Sequence, residues 1–168
     1  MKKQTGMTLI ELMIVTVILV ILATVGVPQL KSFIDNSNLK AFKSTFEKTL
    51  TQARAEAVQR GQSVRIIPTA ASDPDSPNDW SKGWSIHLVV DPDTNTLELI
   101  RTFDSPGQEL VFTSDDFGSA TPIEFSPTGQ ANQSGSFTMN QKECSGGKRF
   151  AFTLLISGSL NRGIVACN

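Results

Sequence analysis

The sequence predicts an α+β fold in which one long N-terminal helix packs on an antiparallel β-sheet head. Three observations predict it. Most of the first thirty residues are apolar, and a helical period continues beyond them to Arg60. After Gly61 the pattern changes to short strand-like runs separated by glycines and polar turns. A helix that covers a sheet buries the apolar surface of both, which favours this arrangement.

The first element is the apolar run at residues 7–27, which Lys2 and Lys3 precede. About 20 apolar residues are enough for a helix to cross the bilayer core. Lysines before such a helix favour keeping its N-terminus in the cytoplasm and exporting the residues that follow. We therefore expect residues 7–30 to form a transmembrane helix.

Glu11 interrupts this run. A charged side chain deep in lipid costs roughly 2.5–3.5 kcal/mol even on insertion scales, so its presence indicates a function. A cleaved secretory signal predicts a small-x-small site after the apolar run, and the sequence ATVGVPQ after Leu22 matches such a site poorly. An uncleaved anchor leaves Glu11 unexplained.

A third interpretation comes from the motif Lys2-Lys3-Gln4-Thr5-Gly6 followed by Met7-Thr8-Leu9-Ile10-Glu11. It resembles the class III signal of type IV pilins and type II secretion pseudopilins. The resemblance implies that residues 1–6 are a leader, that prepilin peptidase cuts after Gly6, and that Met7 is then N-methylated. Most members of the family have Phe where Met7 stands.

The resemblance also implies a role for Glu11 in subunit assembly. Its carboxylate would pair with the α-amine of an incoming subunit, which removes two unfavourable buried charges together and fixes the axial register. The implied fold is the type IV pilin fold, with a single-pass anchor in the bacterial inner membrane and a periplasmic head at residues 31–168.

The second half of the helix is amphipathic. Gly26 and Pro28 are expected to bend the helix near the membrane exit, and Gly61 is expected to end it. The apolar side chains that recur at steps of three and four predict the face that packs on the head; they are Leu39, Phe42, Phe46, Leu50, Ala53 and Ala57.

The head contains eight predicted strands. They lie at residues 63–67, 84–90, 97–103, 109–112, 122–125, 136–139, 149–156 and 163–167. The motif Asp91-Pro92-Asp93-Thr94-Asn95 predicts a turn between the second and third. Trp80 and Trp84 are expected to pack on the sheet.

The two cysteines, Cys144 and Cys167, form no Cys-x-x-Cys motif and are too few for a zinc site. In an exported domain we expect them to form a disulfide. Closing the loop between the two cysteines contributes on the order of 3 kcal/mol to the free energy of unfolding in the chain-entropy model. No cofactor, metal site or catalytic group is expected, since the only histidine is His87 and no phosphate-binding glycine loop occurs.

Four motifs in order narrow the resemblance to the GspH/FimT/FimU group. They are Ala53-Arg54-Ala55-Glu56-Ala57, the Trp80/Gly83/Trp84 cluster, the Asp-rich hairpin and Phe125-Ser126-Pro127-Thr128-Gly129. The resemblance implies a minor pilin that acts in pilus assembly near the tip. Its partners would be other minor and major pilins, the prepilin peptidase and the inner-membrane assembly platform. A minor pseudopilin of a type II secretion system is the alternative, although the two-cysteine C-terminal loop favours the pilus.

A third interpretation is a DNA receptor for natural transformation. Some FimT-like proteins bind DNA through a Gly-Arg-x-Arg element near the C-terminus. In the corresponding stretch here, Gly158-Ser159-Leu160-Asn161-Arg162, only Arg162 matches in type. Lys148 and Arg149 could complete a basic patch, whereas a formal net charge of −1 gives the whole chain no attraction for a polyanion. A solvated basic edge is the simpler explanation.

Overall fold

A computed structural model describes residues 8–69, 77–105, 110–142 and 148–166, with the backbone alone at 25–29, 31–32, 148 and 166. One helix and eight strands follow in chain order: α1 Leu9–Arg60, β1 Val64–Pro68, β2 Gly83–Asp91, β3 Thr96–Asp104, β4 Leu110–Ser114, β5 Ile123–Phe125, β6 Gly135–Gln141, β7 Lys148–Leu154 and β8 Leu160–Ala166. The prediction of a long helix followed by an antiparallel β head is confirmed.

Residues 1–37 form one compact unit of the chain, and its described part is the first half of α1. The helix assignment continues without interruption through Pro28. The large apolar side chains from Leu9 to Leu22 are exposed. In the part of the chain that the structure describes, no helix has the length and apolar character needed to cross a membrane. Met7 and the side chains of 25–29, which belong to the predicted span, lie outside the described residues.

The second unit, Asn38–Asn168, contains the hydrophobic core. All six predicted apolar residues of the helix, from Leu39 to Ala57, are buried there. Phe46 lies at the centre, where its ring packs on Trp84 of β2, on Phe112 of β4 and on rings from β6 and β7. One helix side chain therefore contacts both halves of the β structure.

The described residues of the head form two four-stranded antiparallel sheets. The first has the order β3-β2-β1-β5 and the second the order β4-β6-β7-β8. Both sheets pack on the apolar face of the helix. Phe42 contacts Trp84 of the first sheet and Phe112 of the second, so each sheet covers part of the same stripe.

Short segments outside the named strands form hydrogen bonds along one edge of each sheet. The Trp80 amide donates to the Phe112 carbonyl, and the Ser114 amide donates to that of Asn78, so residues 78–80 run beside β4. Similarly, the Asn132 amide donates to the Glu124 carbonyl on β5. These contacts occupy backbone groups that an edge strand would otherwise leave free.

The strand boundaries agree with the predictions to within a few residues, except near the C-terminus. We expected the seventh strand to reach Ile156, but β7 ends at Leu154 because Leu155 begins a turn. In that turn the Gly158 amide donates to the Leu155 carbonyl, and Gly158 has a φ of 76°. Strand β8 consequently begins at Leu160, three residues before the predicted start.

The predicted turn after β2 is confirmed as the β2–β3 hairpin. Asp91 accepts hydrogen bonds from the amides of Asp93 and Thr94 and from the Thr94 hydroxyl, and these bonds lower the pKa of Asp91, that with the Thr94 side chain most of all. Asn95 closes the turn with a φ of 54°, a conformation that Asn tolerates better than most residues.

Candidate assembly segment and C-terminal basic edge

Glu11 occupies the first turn of α1. Thr8 precedes the helix as its N-cap, and its hydroxyl accepts a hydrogen bond of 3.3 Å from the Glu11 amide. Threonine at the cap with glutamate three residues later is the sequence pattern of a capping box. An anion in this turn also interacts favourably with the helix dipole. The capping pattern and the helix dipole therefore both favour a glutamate at position 11.

The Glu11 carboxylate itself is exposed. Within the described part of the chain, neither a hydrogen bond nor an ion pair to it is found. Gly6 and Met7, the residues predicted for leader cleavage and methylation, lie outside the described residues. Cys144 and Cys167 lie outside them as well, so the disulfide stays a prediction.

Trp80 and Trp84 are fully buried, as predicted. The indole NH of Trp84 donates to the hydroxyl of Thr49 on α1 at 3.1 Å, and that of Trp80 donates to the Phe117 carbonyl. Thr49 in turn donates to the Thr45 carbonyl, which satisfies this buried polar group. Both tryptophans therefore hold the head together rather than form an exposed contact surface.

The Ala53–Ala57 motif of the helix and the Phe125–Gly129 motif of the head lie against each other. A Cβ built at Gly129, the last residue of the Phe125–Gly129 motif, would approach Arg54 Nε at 3.0 Å and Val58 Cγ2 at 3.1 Å. A Cβ at Gly158 would approach the same Arg54 atom at 3.1 Å. Two loops that are distant in sequence thus pack against one arginine of the helix, which sequence spacing alone does not show.

Two residues of the tentative DNA patch, Arg149 and Arg162, lie on opposite faces of one sheet. In the β7–β8 register, Arg162 lies opposite Phe152, whose side chain is buried towards the helix. Arg149 lies opposite Val165, on the other face of the same sheet. Arg149 is half-buried, and its Nε has no hydrogen-bond partner among the described residues. The side chain of Lys148 lies outside the described residues.

Arg162 has a partner within the chain. Its Nε donates to Glu47 Oε1 on α1 at 2.9 Å, and Lys43 Nζ lies 3.7 Å from the same oxygen. Arg162 nevertheless remains 60% exposed. Its charge is therefore partly neutralised, and the ion pair ties the last strand to the helix.

Sequence reasoning missed a polar cluster on the outer face of the first sheet. Arg65 donates to Glu124 Oε2 through both Nε and one terminal nitrogen, at 3.0 and 2.8 Å. Opposite Arg65 lies His87, which contacts the Ser85 hydroxyl at 2.8 Å. Burial, and then the charge of Arg65, lower the pKa of His87. The alternation of residues along β1 and β2 could have indicated that these side chains share a face.

Comparison with protein families adds to this geometry. Residues 44–159 match the family model described as "Type II transport protein GspH". The chain belongs to the GspH family. Residues 1–27 also match the model of the prokaryotic N-terminal methylation motif. The GspH match thus covers most of the head and ends just before β8, and the motif match covers the segment that contains Glu11.

Two solved structures share the fold. The type IV minor pilin FimU of Pseudomonas aeruginosa has 19% sequence identity and a TM-score of 0.60, and the match covers 78% of this chain and 92% of that one. The minor pseudopilin EpsH from the type 2 secretion system of Vibrio cholerae has 13% identity and a TM-score of 0.56, covering 77% of this chain and 97% of that one. The GspH-family chain is therefore a pilin-like subunit with the fold of both kinds of minor subunit.

Proposed function

We propose that this chain is a minor pilin of a type IV pilus, a structural subunit that acts in pilus assembly or initiation near the tip. The observation that carries the proposal is Glu11, an exposed carboxylate without a partner in the described chain, five residues after Gly6 in a matched methylation motif. A carboxylate kept in an apolar helix needs a cation, and a neighbouring subunit can supply its α-amine.

The proposal includes a membrane-anchored precursor. Its apolar segment would hold the chain in the inner membrane, with the head in the periplasm, until the prepilin peptidase removes residues 1–6. Methylation keeps the new α-amine of Met7 cationic, so that it can pair with Glu11 of another pilin. The assembly platform and the other minor and major pilins would be its partners.

Substitution of the leader glycine tests this proposal. Gly6→Val should leave an unprocessed precursor, because the added side chain must enter the peptidase site. Thr5→Val is the matched control, with the same new side chain one position away, and should be processed normally. The measurement is the mass of the protein in membranes and in sheared filaments. Mature protein from Gly6→Val would contradict the proposal.

The second candidate is a minor pseudopilin of a type II secretion system, and the EpsH-like fold favours it. Deletion of the gene in the native host distinguishes the two machines. Loss of surface pili with normal protein secretion supports the pilus. Retention of pili with loss of secreted enzymes would assign the chain to secretion instead.

The third candidate is a DNA receptor that uses Lys148, Arg149 and Arg162. Such binding would be weak, indifferent to sequence and steeply dependent on salt, because phosphate contacts release counterions. Arg162→Ala should then lower DNA binding and transformation while pili still assemble. Because Arg149 and Arg162 lie on opposite faces of the sheet, a single surface that contacts DNA would include at most one of them. Unchanged transformation in Arg162→Ala would remove this candidate.

The disulfide between Cys144 and Cys167 completes the proposed processed form. Mass spectrometry of non-reduced peptides from the native envelope should find the cross-link. Two thiols that can be alkylated without reduction would contradict it.

A further inference from the structure

The two sheets end in edge strands of different character. Strand β3 carries charges of both signs at Glu98, Arg101 and Asp104, which is a usual protection against pairing with another chain. Strand β8 carries a single charge, Arg162, and Ile164 and Val165 are 63% and 51% exposed. Among the described residues, no strand pairs with the outer edge of β8.

The hydrogen-bond alternation shows which backbone groups of β8 point away from β7. The Leu155 amide donates to the Ser159 carbonyl, so this pair lies in the hydrogen-bonded phase of the β7–β8 ladder. Alternation along an antiparallel pair then turns the amides and carbonyls of Asn161, Gly163 and Val165 towards β7. The corresponding groups of Arg162 and Ile164 point outward, away from the sheet.

A groove adjoins this free edge on its helix side. It has a volume of about 510 Å³ and is bounded by Arg162 and by α1 side chains that include Glu47 and Lys48. Lys48 and Arg162 are the cations that line the groove, and Glu47, which Lys43 also contacts, is the carboxylate that lines it. The lining of the groove therefore carries a net positive charge.

The opposite face of β8 contains Gly163 and Val165, with the polar Asn161 before them, opposite Ala151, Arg149 and Thr153 of β7. No acidic residue occurs at positions 148–168 of the sequence. A strand added to this edge would thus place alternate side chains into a basic groove and against Gly163 and Val165.

We propose that the free edge of β8 and the adjoining groove bind an extended segment of a partner protein by β-strand addition. The partner segment alternates carboxylate side chains, which enter the groove, with small apolar side chains, which cover Gly163 and Val165. Main-chain hydrogen bonds supply affinity and the alternate side chains supply specificity in this mode of recognition. The inference does not depend on the leader or on Glu11.

A peptide in which Glu alternates with Val is the probe, and a peptide in which Lys alternates with Val is its control. Both are titrated into the full-length processed protein in detergent micelles. The Glu peptide should bind and should slow hydrogen exchange of the Arg162 and Ile164 amides. The Lys peptide should bind about tenfold or more weakly, because it brings like charges into the groove. Equal binding of both peptides would overturn the charge match.

Ile164→Pro tests strand addition, because proline removes an outward amide while sparing the bonds to β7. Ile164→Ala is the matched control, since it shortens the same side chain and keeps the amide. We expect Ile164→Pro to weaken binding by about tenfold and Ile164→Ala by much less, as loss of a hydrogen bond with its cost of desolvation requires. Equal binding by both variants would exclude an added strand.

A second measurement leaves the protein unchanged, in case proline disturbs the head. The Glu peptide is N-methylated at every second residue, in the two possible phases. Strand addition predicts that one phase binds and the other does not, because only one phase turns its amides towards β8. Equal loss in both phases, or binding in both, would contradict the proposal.

Two other occupants would also overturn it. Self-association of the chain through β8 that the Glu peptide does not disrupt would assign the edge to a second copy. A short DNA duplex that binds in preference to the peptide, with loss in Arg162→Ala but not in Ile164→Pro, would assign the groove to polyanions.

Discussion

The two halves of α1 contain similar apolar side chains but differ in whether those side chains are buried. From Leu9 to Leu22 these side chains are exposed, whereas from Leu39 to Ala57 the apolar face is buried in the head. Exposure on this scale costs free energy in water, so the first half requires an apolar environment that the described chain does not supply. The second half finds that environment in its own sheets. We infer that the first half serves assembly and that the second half serves stability.

The largest expected effect tests this separation at Glu11. Glu11→Gln removes the charge and keeps the shape, and it should abolish incorporation into filaments because the incoming amine loses its partner. Thermal unfolding of the head should not change. Glu56→Gln is the matched control on the same helix, because among the described residues Glu56 forms its ion pair with Arg60 alone. The amounts of each variant in sheared filaments are the measurement, and normal assembly of Glu11→Gln would break the comparison.

The reverse experiment is Phe46→Ala, in the half of the helix that belongs to the head. Phe46 is fully buried and contacts rings from both sheets, so its loss should lower the free energy of unfolding by about 3–5 kcal/mol. Lys48→Ala, at an exposed position, should change it by about 0.5 kcal/mol or less. Denaturant unfolding measures both. A small effect of Phe46→Ala would mean that the two sheets do not depend on the helix.

Gly158→Ala tests how much the packing of the Gly129 and Gly158 loops contributes to the stability of the head. The added Cβ would lie 2.5 Å from the Gly129 carbonyl oxygen, and the φ of 76° is strained for alanine. We expect a loss of about 2–4 kcal/mol. Gly61→Ala is the control, since Gly61 has a similar φ of 66° but nothing within 4 Å of its Cβ position. It should cost about 1–2 kcal/mol, and leader cleavage should be normal in both. Equal losses would mean that the loop packing contributes little.

The smallest expected effect concerns pH. The folded protein holds the pKa of His87 below its ordinary value of 6.5, so the unfolded chain binds more protons in the window just below that value. Stability contributed by neutral His87 is therefore present above pH 6.5 and is lost as the pH falls through the folded pKa. His87→Gln should flatten the dependence of unfolding on pH between about 5 and 7. A profile unchanged by the substitution would show that burial and Arg65 do not act on this imidazole.

The local features of the chain were predictable from its sequence. The leader motif, the extent of the helix, its buried face and the Asp91–Asn95 turn all depend on residues that are close together in the chain. Periodicity and turn chemistry encode such features directly. Trp80 and Trp84 were also predictable as packing residues, because a large aromatic ring gains the most when its apolar area is buried in the core.

Only the tertiary structure decided how the strands pair, and with it the nature of the C-terminal edge. The division into two sheets, the ion pair between Arg162 and Glu47, and the opposite faces of Arg149 and Arg162 all follow from the register of strands that are distant in sequence. A shift of one residue in a register moves every side chain of a strand to the other face, and nothing within the strand itself fixes that choice. The sequence therefore determined which residues the chain has for assembly and for its core, and the packing of strands on the helix determined which of its surfaces remain free to bind.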